Sequence, residues 1–353
     1  GFNIVDSASD VNGNNDFMLY IAIRRPDGYV GKPADAGTDV FTTVASPNNS
    51  NEPLYVSNFI VDFAIQKNIA GTTDWYTGAR LVRDEYLITN SSSSKGNMGV
   101  TYQTFDMNNG WWNGGAATQT THNSWMWKRG QGFDVVTYEG DGNSKNDGGR
   151  NIPHSLGQAP EMMWVKQRED STDWQVWHKD LNGGTSSGEY FMVLNNTDAE
   201  SGSSSSEIWA DSTPTATHFT LGDNSKVNNS ASGSRYIAML FSSVSGISKV
   251  GSFSGVASAS YPLTVTTGFA PRFIMIKARA GTSGYGWFIW DSVRYSGSDN
   301  LKLSLNDQAA QDTGTTYQYF NDAPISTNST GFTIVDDGWG STGGLEFIYY
   351  AHA

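Results

Sequence analysis

The sequence predicts an all-β protein made of three tandem antiparallel β-sandwich repeats, jelly-roll-like in their strand arrangement, with a partial closing hairpin at the N-terminus. Short apolar runs rich in Val, Ile, Tyr, Phe and Trp alternate with clusters of Gly, Asn, Asp and Ser, which is the pattern of strands and turns. No window keeps the i, i+3, i+4, i+7 spacing of an amphipathic helix. Several motifs recur about 110 residues apart, which is a common domain size.

Composition narrows the class of protein further. Only 16% of the 353 residues are charged and 13% are aromatic, whereas disordered chains combine high charge with few aromatics. Lys and Arg number 22 and Asp and Glu 35, so the net charge is 22 − 35 = −13. Such a surface repels nucleic-acid backbones and anionic lipid heads, so we expect neither as a partner. The absence of cysteine excludes disulfides, thiolate metal sites and cysteine nucleophiles.

One recurring motif is a short apolar run that begins with an aromatic residue and follows a polar loop. It occurs at Tyr20-Ile21-Ala22-Ile23, Trp125-Met126-Trp127, Tyr236-Ile237-Ala238-Met239 and Phe347-Ile348-Tyr349-Tyr350. Because self-similarity at a fixed period indicates a repeat protein, we interpret this run as the closing strand of each repeat.

A second motif is an apolar strand that ends in Lys and is followed by a polar loop and a Trp, preceded in two copies by Gly-x-Ala-Pro. In the first copy Val61 stands at the proline position. Recurrence at one position indicates a role in holding the fold, with the indole ring packed into the core. These structural repeat positions are Lys67, Trp75, Pro160, Lys166, Trp174, Pro271, Lys277 and Trp287.

The phase of the motifs predicts the domain boundaries. Residues 27–130, 131–245 and 246–353 each form one predicted repeat, and residues 1–26 match only the closing part of a repeat. That partial repeat is either the tail of an earlier copy or a hairpin that adds its strands to another repeat or to a neighbouring subunit, because unpaired edge strands seek partners.

Two strands are predicted to be covered on both faces. The run Phe273-Ile274-Met275-Ile276-Lys277 is apolar at both alternations, and so is Met162-Met163-Trp164-Val165. Each is followed after a short polar loop by a second apolar run, Trp287-Phe288-Ile289-Trp290 or Trp174-Gln175-Val176-Trp177, which predicts a hairpin.

The sequence predicts no catalytic residues, no metal site and no cofactor. The adjacent carboxylates Asp336-Asp337 and Glu169-Asp170 would point to opposite faces of a strand, whereas paired acids in a glycan-cleaving site face each other. No two of the five histidines are close enough in sequence to form a local ligand pair. The segment Asp10-Val11-Asn12-Gly13-Asn14-Asn15-Asp16 alternates oxygen ligands like a calcium loop but lacks the later Gly and Glu, which favours a turn.

The candidate ligand-binding residues are Trp111 and Trp112, which lie between two polar, Gly-containing stretches. Neighbours on a strand cannot both point inward, so an exposed indole would be available to stack on a sugar ring or to anchor a protein partner. Use of these side chains in an interface or in the core is the alternative interpretation.

The repeats resemble an uncharacterised β-sandwich domain found in virion proteins of marine phages, notably cyanophages and pelagiphages. The resemblance covers most of the chain, although the first repeat lacks Gly-x-Ala-Pro. It implies a particle component and carries no catalytic residues. The segments that carry it are GFAPRFIMIK at 268–277, DWQVWH at 173–178, TDWYTGAR at 73–80, YIAIRRP at 20–26 and WMWKR at 125–129.

Together these observations favour a non-enzymatic phage structural protein: a tail fibre, an appendage or a capsid decoration on an extracellular virion. Its expected partners are other virion proteins and copies of itself, with a host-surface glycan as a further candidate. A carbohydrate-binding module or lectin is the alternative, and a glycan-cleaving enzyme is the second alternative.

Overall fold

The computed structural model describes only part of the chain, and all of the described residues belong to one compact unit of residues 34–353. The predicted hairpin at residues 1–26 and the Asp10–Asp16 turn lie outside the described residues. The described residues are 34–45, 47, 52–99, 103–113, 120–202, 206–257, 260, 262–281, 284–294, 303–311, 329–334 and 344–353.

The first third of this unit forms a six-stranded antiparallel sheet in the order β1-β9-β3-β4-β5-β6 and a smaller sheet in the order β2-β8-β7. Short 3-10 helices lie at Gly37–Asp39 and Arg80–Val82. The strands are β1 (Phe41–Ala45), β2 (Tyr55–Val56), β3 (Phe63–Asn68), β4 (Tyr76–Ala79), β5 (Glu85–Ile88), β6 (Gly96–Asn97), β7 (Gln103–Thr104), β8 (Gly110–Asn113) and β9 (His122–Trp127).

The second third forms a five-stranded sheet in the order β10-β16-β12-β13-β14 and a two-stranded sheet, β11-β15. It also carries 3-10 helices at Lys145–Asp147, Leu181–Gly184 and Ser187–Glu189. Its elements are β10 (Phe133–Glu139), β11 (Arg150–Pro153), β12 (Met162–Gln167), β13 (Gln175–His178), β14 (Met192–Val193), α1 (Ser206–Trp209), β15 (His218–Leu221), α2 (Ser225–Asn228) and β16 (Arg235–Phe241).

The last third forms a five-stranded sheet in the order β17-β23-β19-β20-β21 and a two-stranded sheet, β18-β22. Its strands are β17 (Ser248–Ser254), β18 (Leu263–Thr266), β19 (Phe273–Ala280), β20 (Phe288–Asp291), β21 (Leu303–Ser304), β22 (Gly331–Ile334) and β23 (Glu346–His352). The described part of the chain is therefore all-β with several antiparallel sheets, as the strand-and-turn pattern predicts. Within it no helix is long and apolar enough to cross a membrane.

In each large sheet the last strand lies between the first and the third. Strand β9 pairs with β1 and β3, β16 pairs with β10 and β12, and β23 pairs with β17 and β19, all antiparallel. The predicted hairpins are confirmed, since β12 pairs with β13 and β19 with β20. In both hairpins the Trp precedes the second strand rather than opening it, because its backbone N–H bonds to an asparagine side chain.

Strand β19 is covered on both faces, as its apolar pattern predicts. Phe273 and Met275 pack into the largest core cluster, while Ile274 and Ile276 pack into a separate cluster that contains Phe332 of β22. Successive side chains of a strand point to opposite faces, so a sheet buried on both sides needs apolar residues at both alternations. Each buried Val, Leu, Ile, Phe or Met side chain contributes about 1.5–3 kcal/mol relative to an exposed one.

Aromatic rings connect the three large sheets in the centre of this unit. Phe41 of the first sheet lies 5.4 Å from Phe273 of the third, measured between ring centroids. Trp127 lies 6.1 Å from Phe133 of the second sheet, and Phe241 lies 4.9 Å from Tyr350 of the third. Aromatic pairs at these separations attract one another beyond the area they bury. All three sheets therefore contribute to one core.

Candidate functional site

The recurring tryptophans lie at the contacts between sheets, which we call the seams. Each is at most 1% exposed, and each indole nitrogen donates to a backbone carbonyl of another sheet region. Trp75 Nε1 donates to Asp307 O at 3.0 Å, in the last third of the unit. Trp174 Nε1 donates to Ile88 O at 2.9 Å, in the first third, and Trp287 Nε1 donates to Val193 O at 2.9 Å, in the second.

An asparagine holds the backbone of each of these tryptophans. The amide nitrogen of Trp75 donates to Asn90 Oδ1 at 2.8 Å, that of Trp174 to Asn195 Oδ1 at 2.9 Å, and that of Trp287 to Asn306 Oδ1 at 2.7 Å. A backbone N–H used this way does not pair in the hairpin, so the second strand begins one residue after the Trp. These asparagines were not predicted from the sequence, although they recur at nearly the same intervals as the tryptophans.

The three recurring lysines are buried among backbone carbonyls. Lys67 Nζ donates to Gln308 O at 2.9 Å, and Lys277 Nζ donates to Thr197 O at 3.0 Å, so both cross a seam. Lys166 Nζ donates to Gln167 O at 2.6 Å and to Asp170 O at 3.2 Å within its own third. Burial lowers the pKa of each of the three amines to about 8.

Backbone hydrogen bonds close all three seams at one position, two residues after each lysine. Lys95 N donates to Arg168 O at 2.8 Å, Glu200 N donates to Arg279 O at 2.7 Å, and Gln311 N donates to Ile69 O at 2.7 Å. These bonds join the first third to the second, the second to the third, and the third to the first. The seam contacts therefore run in a closed cycle.

Charged pairs reinforce the seams. Arg168 pairs with Glu85 across the first seam, and Arg279 Nη1 lies 2.7 Å from Glu200 Oε1 across the second. At the seam between the first and last thirds, Trp125 Nε1 donates to Asp291 Oδ2 at 2.9 Å. The two Arg–Glu ion pairs fix the geometry of the seams more than they stabilise the fold, because desolvation of the charges offsets much of their attraction.

The two prolines of the Gly-x-Ala-Pro motifs, Pro160 and Pro271, are buried two residues before β12 and β19. Val61 occupies the matching place before β3 and is fully buried. All eight structural repeat positions therefore lie in the interior. The three tryptophans, Lys67 and Lys277 make hydrogen bonds across the seams, whereas Lys166 bonds within its own third.

Trp111 is not an exposed shelf. It is 1% exposed, its ring stacks on Phe105 at 5.2 Å and on Tyr55 at 5.4 Å, and its Nε1 donates to Ser124 Oγ at 3.0 Å. No face of this indole is free for a sugar ring, so the prediction that Trp111 binds a ligand is wrong and its alternative, core packing, holds. The backbone of Trp112 pairs with Thr104 across β7 and β8, and its side chain lies outside the described part of the structure.

A depression of about 580 Å³ lies at the edge of the β2-β8-β7 sheet, beside the loop that joins β7 to β8. Its lining combines exposed polar side chains with two apolar ones. Residues of these types are common in turns, so no sequence pattern marked the depression. Its lining residues are Glu52, Pro53, Thr104, Asp106, Met107, Asn108 and Asn109. Among the described residues no group of three or more His, Cys, Asp or Glu side chains is placed to hold a metal ion.

Residues 47–353 match the family described as a domain of unknown function, DUF7483. The chain belongs to the DUF7483 family. No curated protein and no solved structure matches the chain.

The DUF7483 match spans both features of interest. It includes the three seams and the whole lining of the depression, and it begins after β1. The family description assigns no role to either feature.

Proposed function

We propose that the protein is a non-enzymatic structural component of a phage virion, built from three copies of one β-sandwich unit at residues 27–130, 131–245 and 246–353. The copies contact one another in a closed cycle and present surface loops outward. The observation that carries this proposal is the cycle of tryptophans, in which each copy places its Nε1 donor on a carbonyl of another copy.

The common strand order supports three copies of one unit. In every large sheet the closing strand lies between the first and third strands, and a hairpin strand follows the third. Each third also has a second, smaller sheet. Clusters on the two faces of β19 support a sandwich, since β22 of the small sheet covers one face.

The placement of the recurring residues supports a scaffold role. A repeated catalytic residue would be expected to reach a cleft, because it must contact substrate. The recurring lysines and tryptophans are instead buried, and the three tryptophans together with Lys67 and Lys277 hold copies together. A chain whose repeated residues form internal contacts makes a rigid scaffold for its surface loops.

The assignment to a virion rests on the resemblance of its motifs to marine phage proteins. The partners we propose are other virion proteins and copies of this chain, in an extracellular particle. A net charge of −13 is consistent with a surface part that avoids nucleic acid.

The test is to purify particles from a lysate that expresses the gene and to quantify the protein by mass spectrometry across a density gradient. We expect its peptides to follow the major capsid protein at a constant ratio through a high-salt wash. An abundant host protein serves as the control for trapped material. Recovery only in the soluble fractions, away from particles, would overturn the virion assignment.

A further inference from the structure

Among the described residues, the first third differs from the second at its small sheet. There the sheet has a third strand, β7, whereas β11-β15 and β18-β22 have two strands each in the described residues. The loop between β7 and β8, residues 105–109, forms one wall of the depression, and Glu52 and Pro53 form another. Since two strands suffice in the small sheet of the second third, whose residues before β15 are described from 206 onward, the additional strand and loop of the first third are not required by the fold.

The wall of the depression is held rigidly. Arg80 Nη2 donates to Met107 O at 3.1 Å, and Ser57 N donates to Asn109 O at 2.8 Å. Gly110 then lets the loop lie against the neighbouring strand, because a Cβ on this glycine would stand 2.2 Å from Tyr55 O. A site whose loops are fixed before binding loses less conformational entropy when a ligand arrives.

Four polar side chains at the depression are uncommitted. Glu52, Asp106, Asn108 and Asn109 are exposed, and within the described residues their side chains form no hydrogen bond or ion pair. Carboxylates accept hydrogen bonds, while amides both donate and accept, so together they match the hydroxyl groups of a sugar. Pro53 and Met107 add apolar surface on which the C–H face of a sugar ring can pack.

We propose that this depression binds a neutral oligosaccharide. The described lining holds two carboxylates and no Lys or Arg, and the Arg80 guanidinium behind Met107 is already paired with Asp62. The two carboxylates would repel an acidic sugar, which leaves neutral hexoses and N-acetylhexosamines as the matching class. The proposal rests on the proposed function, because a particle protein that presents surface loops meets glycans on the cell it attaches to. In this arrangement the residues of the loop between β7 and β8 contact the sugar.

The test uses the full chain on a printed array of neutral and acidic oligosaccharides, followed by calorimetry with the best neutral binder. We expect the double variant Asp106→Ala/Asn108→Ala to weaken binding about tenfold or more, because each lost hydrogen-bonding group contributes a factor of several. Asp223→Ala removes an exposed carboxylate elsewhere and should leave the affinity within about twofold. Circular dichroism and the unfolding midpoint show that each variant is folded.

Three results would overturn the proposal: no binding to any neutral glycan on the array, equal binding by the double variant, or binding that requires calcium and disappears with EDTA. The last result would identify a cation site instead. Because these measurements use the purified protein alone, they stand apart from the gradient experiment. A glycan site on a protein absent from particles would refute only the virion assignment.

Discussion

At the scale of single residues, each seam tryptophan both fills the core and forms a hydrogen bond to another sheet. The ring fills the core, and the Nε1 donor satisfies a carbonyl of another sheet, so packing and register are fixed together. A carbonyl left without a donor in a buried seam costs free energy, since it has lost water as well.

We expect Trp174→Phe to lower the free energy of unfolding more than Trp209→Phe. Both indoles are at most 1% exposed, but Trp174 Nε1 donates to Ile88 O, whereas Trp209 Nε1 has no hydrogen-bond partner among the described residues. The matched pair therefore isolates the hydrogen bond, whose loss costs about 1–3 kcal/mol. Urea unfolding measures the difference, and equal losses would show that the seam bond adds nothing.

Buried histidines predict a loss of stability in acid. Burial lowers the pKa of His178 to about 3 and that of His352 to about 4, both from 6.5. Below pH 6.5 the unfolded chain binds protons at these positions while the folded chain does not, so stability falls as the pH falls. The folding equilibrium constant should change by up to about tenfold per pH unit for each histidine between pH 6 and 5.

The measurement is the free energy of unfolding between pH 7 and 5 for the native chain, His352→Gln and His218→Gln. The partly exposed His218 serves as the control. His352→Gln should flatten the pH dependence, and His218→Gln should leave it nearly unchanged. A native chain whose stability is constant over this interval would contradict the argument.

At the scale of elements, the close approach of β8 to β2 depends on one glycine. Gly110 and Gly130 have nearly the same φ, +156° and +154°, but a Cβ at Gly110 meets Tyr55 O at 2.2 Å, whereas a Cβ at Gly130 meets nothing within 4 Å. The pair therefore separates a steric clash from the conformational cost of adding a Cβ.

We expect Gly110→Ala to lower the free energy of unfolding by about 1–3 kcal/mol more than Gly130→Ala, because the strand must shift to admit the methyl group. Thermal and urea unfolding of the two variants provide the comparison. Similar stabilities would mean that β2 and β8 tolerate a wider separation than the structure has.

At the scale of the whole described unit, the seams form a cycle. Each third therefore contacts both of the others, in addition to its covalent connection along the chain. The link between the second and last thirds passes through exposed Ser245 and Gly246. Gly246 has open space around it, which makes it a suitable place for an inserted protease site.

Cleavage at that inserted site should leave residues 1–245 and 246–353 associated, because two seams and the shared aromatic core still join them. Size-exclusion chromatography should show one peak before and after cleavage, and two only in denaturant. Uncleaved protein with the same insertion is the control. Separation of the fragments in native buffer would show that the seams do not hold the thirds together.

The sequence by itself determined the strands, the hairpins and the faces that lie in the core. Because β19 is apolar at both alternations, it required cover on both faces. The recurrence of Lys67 and Trp75 with their counterparts marked positions that the structure places in the interior. These features follow from local periodicity and side-chain type, which are written into the order of the residues.

Only the tertiary structure decided which strand lies beside which, which carbonyls receive the tryptophans, and that Trp111 is enclosed. The insertion of β9 between β1 and β3, and the choice of Asp307 O as the acceptor for Trp75, depend on backbone groups that every residue carries. Because the backbone N–H and C=O groups are the same at almost every position, residue type does not indicate which strand or carbonyl will be the partner. Long-range packing selects that partner.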